Sequence, residues 1–187
     1  GRLKEYKEVY FFASHAHADH FKKGIFSMAG ENVKYILSSD IRTPEGLEHI
    51  SLSKGENYAD DFLSVYAGGS TDIGISFVIE AAGKKIFHAG DLNLWHWRDE
   101  SSIVEIEKAE RAFYDCVAPI PTESIDLAFF PVDPRQGSMY DAGAGYFVMT
   151  IKPKIMIPMH FQGRGDVAMR FALTGETKHT KIVALET

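Results

Sequence analysis

Apolar positions along this chain fall in short runs rather than long stripes. Val9–Ala13 (Val-Tyr-Phe-Phe-Ala) is fully apolar and predicts a buried strand. It runs directly into Ser14-His15-Ala16-His17-Ala18-Asp19-His20. A short helix is expected over Phe21–Met28 and a second strand over Val33–Leu37, ended by Ser38-Ser39-Asp40. His49–Ser53, Phe62–Ala67, Ile73–Glu80 and Lys85–His88 read as consecutive short strands. Gly55-Glu56-Asn57, Gly68-Gly69-Ser70 and Ala82-Gly83 punctuate them, which predicts a meander.

The last part alternates. Ser101–Val117 predicts the best helix, with Ser101 or Ser102 as N-cap and Glu105 as the capping-box acid. Its expected apolar stripe is Ile103, Ile106, Ala109, Ala112 and Phe113. Strands are expected over Leu127–Pro131, Ile155–Met159 and Lys181–Leu185, and helices over Met139–Thr150 and Val167–Leu173. Gly143 and Gly145 weaken the first of these helices. No internal repeat or linker interrupts the pattern. It predicts an α/β protein, a β-meander first and α/β units later, in one domain over residues 1–187.

Composition narrows the class. Of 187 residues, 45% are hydrophobic and 25% charged, with 20 Lys and Arg against 26 Asp and Glu, a net charge of −6. That argues against disorder and gives no global attraction to nucleic acid. No apolar run approaches the ~20 residues of a membrane span, and the start carries no secretion signal. Cys116 is the one cysteine, which excludes an internal disulfide and is compatible with a cytoplasmic location.

The chemistry sits at strand ends. His15, His17, Asp19 and His20 put three imidazoles and a carboxylate in six positions after a buried strand. One histidine in a polar loop is ordinarily solvated; this cluster points to a metal site. Mixed nitrogen and oxygen ligands suit zinc, with manganese or iron possible. Asp91 follows a second strand in Ile86-Phe87-His88-Ala89-Gly90-Asp91, and His160 follows a third in Ile155-Met156-Ile157-Pro158-Met159-His160. Three strand ends with ligand-type residues are what a metal pocket at one sheet edge requires.

These motifs, in this order, resemble the metallo-β-lactamase superfamily. The resemblance covers the chain from about Val9 to its end. It implies a four-layer αββα sandwich with one or two zinc ions at the sheet edge. It also implies a metal-bound hydroxide that attacks an ester, lactone, amide, thioester or phosphodiester. His15 and His17 resemble ligands of a first metal. Asp19, His20 and His160 resemble those of a second, and Asp91 the bridging carboxylate. Asp19 is also the expected catalytic residue that orients the attacking water. Within the superfamily the motifs look most like compact stand-alone hydrolases related to sugar-phosphate lactonases and phosphodiesterases. The expected partner is a small-molecule substrate rather than nucleic acid or a membrane, and a homo-oligomer is compatible.

Two departures stand out. The family usually supplies a further histidine from the loop that here reads Ala67-Gly68-Gly69-Ser70-Thr71-Asp72. Asp72 could replace it, His96 could reach in, or only the second site fills. The alternative function is a metal-binding or ligand-sensing domain of the same fold with little hydrolysis; a di-iron redox site is a third reading. The N-terminal strands also look short or missing before His15. With Gly1 at the start and the apolar run Ile182–Leu185 near the end, this predicts a trimmed fold, a piece of something longer, or an edge covered by another chain. Trp95 and Trp97, the only tryptophans, either wall a pocket or cover the sheet, and Arg135 and Arg164 either meet a substrate anion or stand as solvated loop charges. His88 is expected to steady Asp91 or to sit in the core.

Overall fold

The structure, a computed structural model, describes residues 2–28, 30–97 and 100–185; Gly1 lies outside them. Strands β1 (Val9–Ala13), β2 (Val33–Ser38) and β3 (Ile50–Leu52) form a small all-parallel sheet in that order. Strands β4 (Asn57–Ala59), β5 (Leu63–Gly68), β6 (Ser76–Ala81) and β7 (Lys84–His88) form an antiparallel meander. Strands β8 (Leu127–Pro131), β9 (Ile155–Met159) and β10 (Lys181–Ile182) extend it in parallel into a seven-stranded sheet.

The meander therefore begins later than its sequence suggests. The run around Ile50 pairs in parallel with β2 in the other sheet. Local alternation cannot reveal which sheet a short strand joins.

Each layer follows from side-chain alternation. Ile36 and Leu52 of the small sheet meet Leu63, Val65, Ala67 and Phe77 of the large one, making the inter-sheet core. The other face of the small sheet, Ala13, Tyr35 and Leu37, packs on Phe21, Ile25 and Phe26. Part of that cover is the segment Lys23–Met28, which is a 3-10 helix rather than an α-helix. The far face of the large sheet buries Phe87, Ala128, Phe130 and Met156 under helices α1 (Ile103–Val117), α2 (Ala142–Ile151) and α3 (Gly165–Gly175). The expected αββα order is present, with one helical layer reduced to a 3-10 turn.

Ser102 caps α1, and Glu105 completes the capping box. The expected stripe holds only in part. Phe113, Cys116 and Val117 are buried, whereas Ile103 is 75% exposed, so α1 docks through its C-terminal half. Helix α2 starts at Ala142, after a 3-10 segment over Pro134–Met139. Its Gly143 is a packing requirement: a Cβ there would collide with Asn93 Oδ1. Among the described residues, no helix is long and apolar enough to cross a membrane.

Candidate metal centre

The C-terminal ends of β1, β7, β8 and β9 open onto one edge of the sandwich. β1 delivers Ser14–His20, β7 delivers Asp91, β8 delivers Asp133, and β9 delivers His160. Parallel pairing explains the last two: Pro131 is in register with Met159, so the residues just beyond both strands lie side by side.

All six expected site residues gather here. His20 Nε2 and His160 Nε2 are 2.9 Å apart, and each stands 3.0 Å from Asp91 Oδ1. His15 Nε2 lies 3.2 Å from Asp91 Oδ2, and His17 Nδ1 lies 3.9 Å from the same oxygen. Asp19 Oδ2 is 3.7 Å from His20 and 3.8 Å from His160. His15 is fully buried and Asp91 nearly so, while the Asp19 side chain is 62% exposed.

Three sets bring ligand atoms close enough to share an ion: Asp19, His20 and His160; His15, His20 and Asp91; and His17, Asp72 and Asp91. The first is the expected second-metal set. The expected first-metal pair, His15 and His17, is divided between the other two. Asp72 stands where the missing histidine was sought. His96 joins none of these sets; it is buried, with both ring nitrogens unpaired among the described residues.

The donor chemistry fits a cation. Among the described residues, His15 Nε2 and Asp91 Oδ1 are buried without a hydrogen-bond partner, although nitrogens and oxygens crowd them at 3.0–3.2 Å. Two ligand atoms bound at ~2.1 Å to one tetrahedral ion lie ~3.4 Å apart, close to these spacings. Burial pushes the Asp91 pKa up, but His15, His160 and His20 outweigh it and hold the carboxyl far below the usual range. Burial likewise opposes charge on His160, yet Asp133 and Asp91 raise its pKa to about 9.

Neighbours fix the ligand rings. Asp133 is fully buried, and its Oδ2 lies 3.0 Å from His160 Nδ1. That oxygen holds the ring proton on Nδ1 and leaves Nε2 facing Asp91. Arg135 clamps Asp133 through Nε at 3.0 Å and through Nη2. Ser14 Oγ sits 3.0 Å from His15 Nδ1 and does the same for that ring. The sequence suggests a role for Arg135 but none for Asp133, two positions earlier in the same segment.

His88 acts differently from expectation. Its Nδ1 accepts the Gly90 N–H at 3.1 Å, so it steadies the backbone before Asp91 rather than the carboxylate. Burial, then the nearby His20, lowers its pKa to about 4 and keeps it neutral. Gly90 has φ +57°, and a Cβ there would meet Ile75 O and Ser14 Cβ at 2.8 Å. His160 itself has φ +65°, a left-handed conformation rare for a side-chain-bearing residue. Arg164 turns away to pair with exposed Asp166.

The cluster separates two cavities. One, of about 470 Å³, runs between the sheets along Phe12, Phe77 and Phe129. The other, of about 510 Å³, opens past His17, Asp72, Trp95, Trp97 and Arg135.

Known proteins resemble this chain in sequence and fold. The profile of the beta-lactamase superfamily domain matches residues 9–161. A metal-dependent hydrolase from Natranaerobius thermophilus is 27% identical over 166 residues, 81% of this chain. The match spans 64% of that relative's length. A crystal structure of a candidate metal-dependent hydrolase from Parabacteroides distasonis superposes with a TM-score of 0.62 at 16% identity, over 97% of this chain and 79% of that one. The metallo-beta-lactamase fold protein YhfI from Bacillus subtilis superposes with a TM-score of 0.62 at 12% identity, over 100% of this chain and 80% of its own. At such identities the likeness shows the fold.

Proposed function

The chain belongs to the beta-lactamase superfamily, and from that membership we propose that it is a metal-dependent hydrolase acting on an ester, lactone or phosphodiester of a small molecule. The observation that carries this reading is the approach of His20, His160 and Asp91 within 3.0 Å of one another, with a buried Asp91 oxygen left unpaired. In this reading His20, His160 and Asp19 hold one ion. His15, His17 and Asp91 hold another, with Asp72 in place of the missing histidine and Asp91 shared. Zinc suits the donor set best, and manganese or iron are the next candidates.

A bound divalent ion would supply the acidity that yields a nucleophile from water near neutral pH. The chain's own groups do the rest. Asp19 is exposed beside the cluster with Oδ2 toward His20 and His160, so its second oxygen can orient the attacking water and accept its proton. The water oxygen joins the acyl carbon or phosphorus, and the bond to the leaving oxygen breaks. The proton held by Asp19 then passes to the leaving alcohol. Asp133 and Ser14 keep the His160 and His15 rings turned so that each Nε2 faces inward.

A non-hydrolytic metal-binding or sensing domain is the second reading. It is favoured by the loop before β6, where Asp72 stands instead of a histidine. Metal content and turnover separate the two. The hydrolase reading expects one or two zinc ions per chain and turnover on an ester, lactone or phosphodiester panel, abolished in folded Asp19→Ala. Zinc bound without turnover on the whole panel would sink hydrolysis and leave the second reading.

A further inference from the structure

The chain's only two tryptophans both line the 510 Å³ cavity beside the cluster. Their rings are nearly parallel, at 18° and 6.5 Å between centroids. Each is fixed by its indole N–H. Trp95 donates to Asp91 O at 2.8 Å, and Trp97 donates to Arg135 O at 3.0 Å. The Trp95 ring lies 5.9 Å from that of His160, and Trp97 is 42% exposed. Flat apolar rings are thus held next to the reacting centre.

The surrounding loops are pinned from below. Thr71 Oγ1 donates to Asn93 O at 2.5 Å and accepts the Asn93 N–H at 3.0 Å. Asn93 Nδ2 donates to Gln136 Oε1 at 2.8 Å, and Gln136 Nε2 donates to Leu94 O at 2.6 Å. Both Asn93 and Gln136 are buried. The cavity walls are therefore set before any ligand arrives.

Arg135 adds the charge. Its Nε and Nη2 are spent on Asp133, while Nη1 has no partner among the described residues and the side chain is 56% exposed. Its Nη2 is 3.4 Å from His160 Nδ1, the ring nitrogen turned away from Asp91, so the guanidinium borders the cluster along the cavity wall. A carboxylic ester or lactone is neutral at its scissile carbonyl. A phosphodiester carries its negative charge on the scissile group, and this guanidinium lines the cavity beside the cluster where that group would sit.

We propose that this cavity recognises a phosphodiester bearing a planar aromatic or heteroaromatic group. The ring stacks on Trp97 and Trp95, and the anionic oxygens lie between Arg135 Nη1 and the cluster. The inference rests on the hydrolase reading and names its substrate class. Asp19 and Asp72 also line the cavity, so such an anion binds more tightly once a bound cation adds to Arg135 in offsetting their charge.

Matched diesters test it. Diphenyl phosphate and dimethyl phosphate have the same charge and differ in the ring. Benzoate and benzyl alcohol serve as the carboxylate and neutral arms. Binding to zinc-loaded and metal-free protein is followed by calorimetry and by tryptophan fluorescence. Diphenyl phosphate is expected to bind ~5- to 100-fold tighter than dimethyl phosphate, the range seen for ring stacking on an aromatic side chain, and to quench the fluorescence. Trp97→Leu should remove most of that preference. Arg135→Gln should weaken both diesters ~10-fold or more and leave benzyl alcohol unchanged, with zinc content measured on each variant.

Equal affinity for the two diesters, or an unchanged preference in Trp97→Leu, overturns the proposal. Benzoate binding as tightly as diphenyl phosphate overturns the assignment to phosphate. A protein that binds no zinc sinks the hydrolase reading. The preference between diesters in the metal-free form then still decides whether the aromatic pocket exists.

Discussion

His20 Nε2 and His160 Nε2 stand 2.9 Å apart although 140 positions separate the residues in the chain. Both face the same oxygen of Asp91. Neutral His160 holds its one ring proton on the Asp133 side, so its Nε2 and the Asp91 oxygen are both acceptors. Only a proton or a metal ion reconciles them.

Zinc is therefore expected to stabilise the fold. At free zinc of ~100 times Kd the gain is about 2.7 kcal/mol, a rise in Tm of about 5–10 °C for a chain of this size. Thermal melts with chelator and with added zinc measure it. His160→Ala should shrink the rise, and an equal rise in that variant would remove His160 from the ligands.

The metal-free protein should show a distinct pH dependence. The folded His160 pKa, about 9, lies above the ordinary histidine value of ~6.5. Its protonation thus favours the native state fully below ~6.5, and this contribution fades as pH rises toward about 9. Zinc affinity should climb over the same interval as the competing proton leaves. Asp133→Asn removes the main group raising that pKa, so the interval should narrow. Zinc binding should weaken by ~10- to 100-fold, as for other lost partners of ligating histidines. Proton NMR of the His160 ring follows both changes.

Asp60 should matter more for stability than for chemistry. Its Oδ2 accepts from Tyr10 OH at 2.7 Å, Tyr58 OH at 2.9 Å and Lys34 Nζ at 2.9 Å, joining β1 and β2 to β4. Its Oδ1 accepts the Phe62 and Leu63 N–H groups at 2.9 and 3.2 Å. Burial raises its pKa, but Lys34, the Phe62 N–H and the two hydroxyls outweigh it and hold the carboxyl below its usual range. That stability is complete above ~4 and is lost as pH falls through the lowered folded value. Asp60→Ala should cost about 2–4 kcal/mol in urea unfolding, with zinc content per folded chain unchanged.

Gly90→Ala should damage the site from behind. A methyl group at φ +57° would press on Ile75 O and Ser14. The strain is about 1–3 kcal/mol, and the backbone that aims Asp91 must shift to relieve it. Loss of zinc binding in a variant that still folds is the expected outcome; native affinity would show that Gly90 only fills a turn.

What could be read from the chain was chemistry concentrated in local runs. The strand ends at His15–His20, Asp91 and His160 stood out because ligand-type residues followed fully apolar segments. Strand β4 was missed because Asn57–Ala59 is three residues long, with both ends exposed. The parallel pairing of β3 with β2 was hidden because partner choice depends on the other sheet. Asp133 became visible only through register, when β8 beside β9 brought it to His160. Asn93 and Gln136 carry no local signal, since each is an ordinary loop residue until the fold buries them against one another.

The two sheets are fastened at opposite ends of β1, by Asp60 near Tyr10 and by the histidine cluster beyond Ala13. The small sheet uses a stretch ending at Leu52, while Asp91 and His160 belong to the large one. Neither sheet owns a complete ion-binding set. The site comes into being only when the halves dock, and that contact joins residues as far as 140 positions apart, the kind of closure that is slow in folding. Ion capture is thus a timestamp on the final step of assembly: in refolding it should trail the appearance of both sheets.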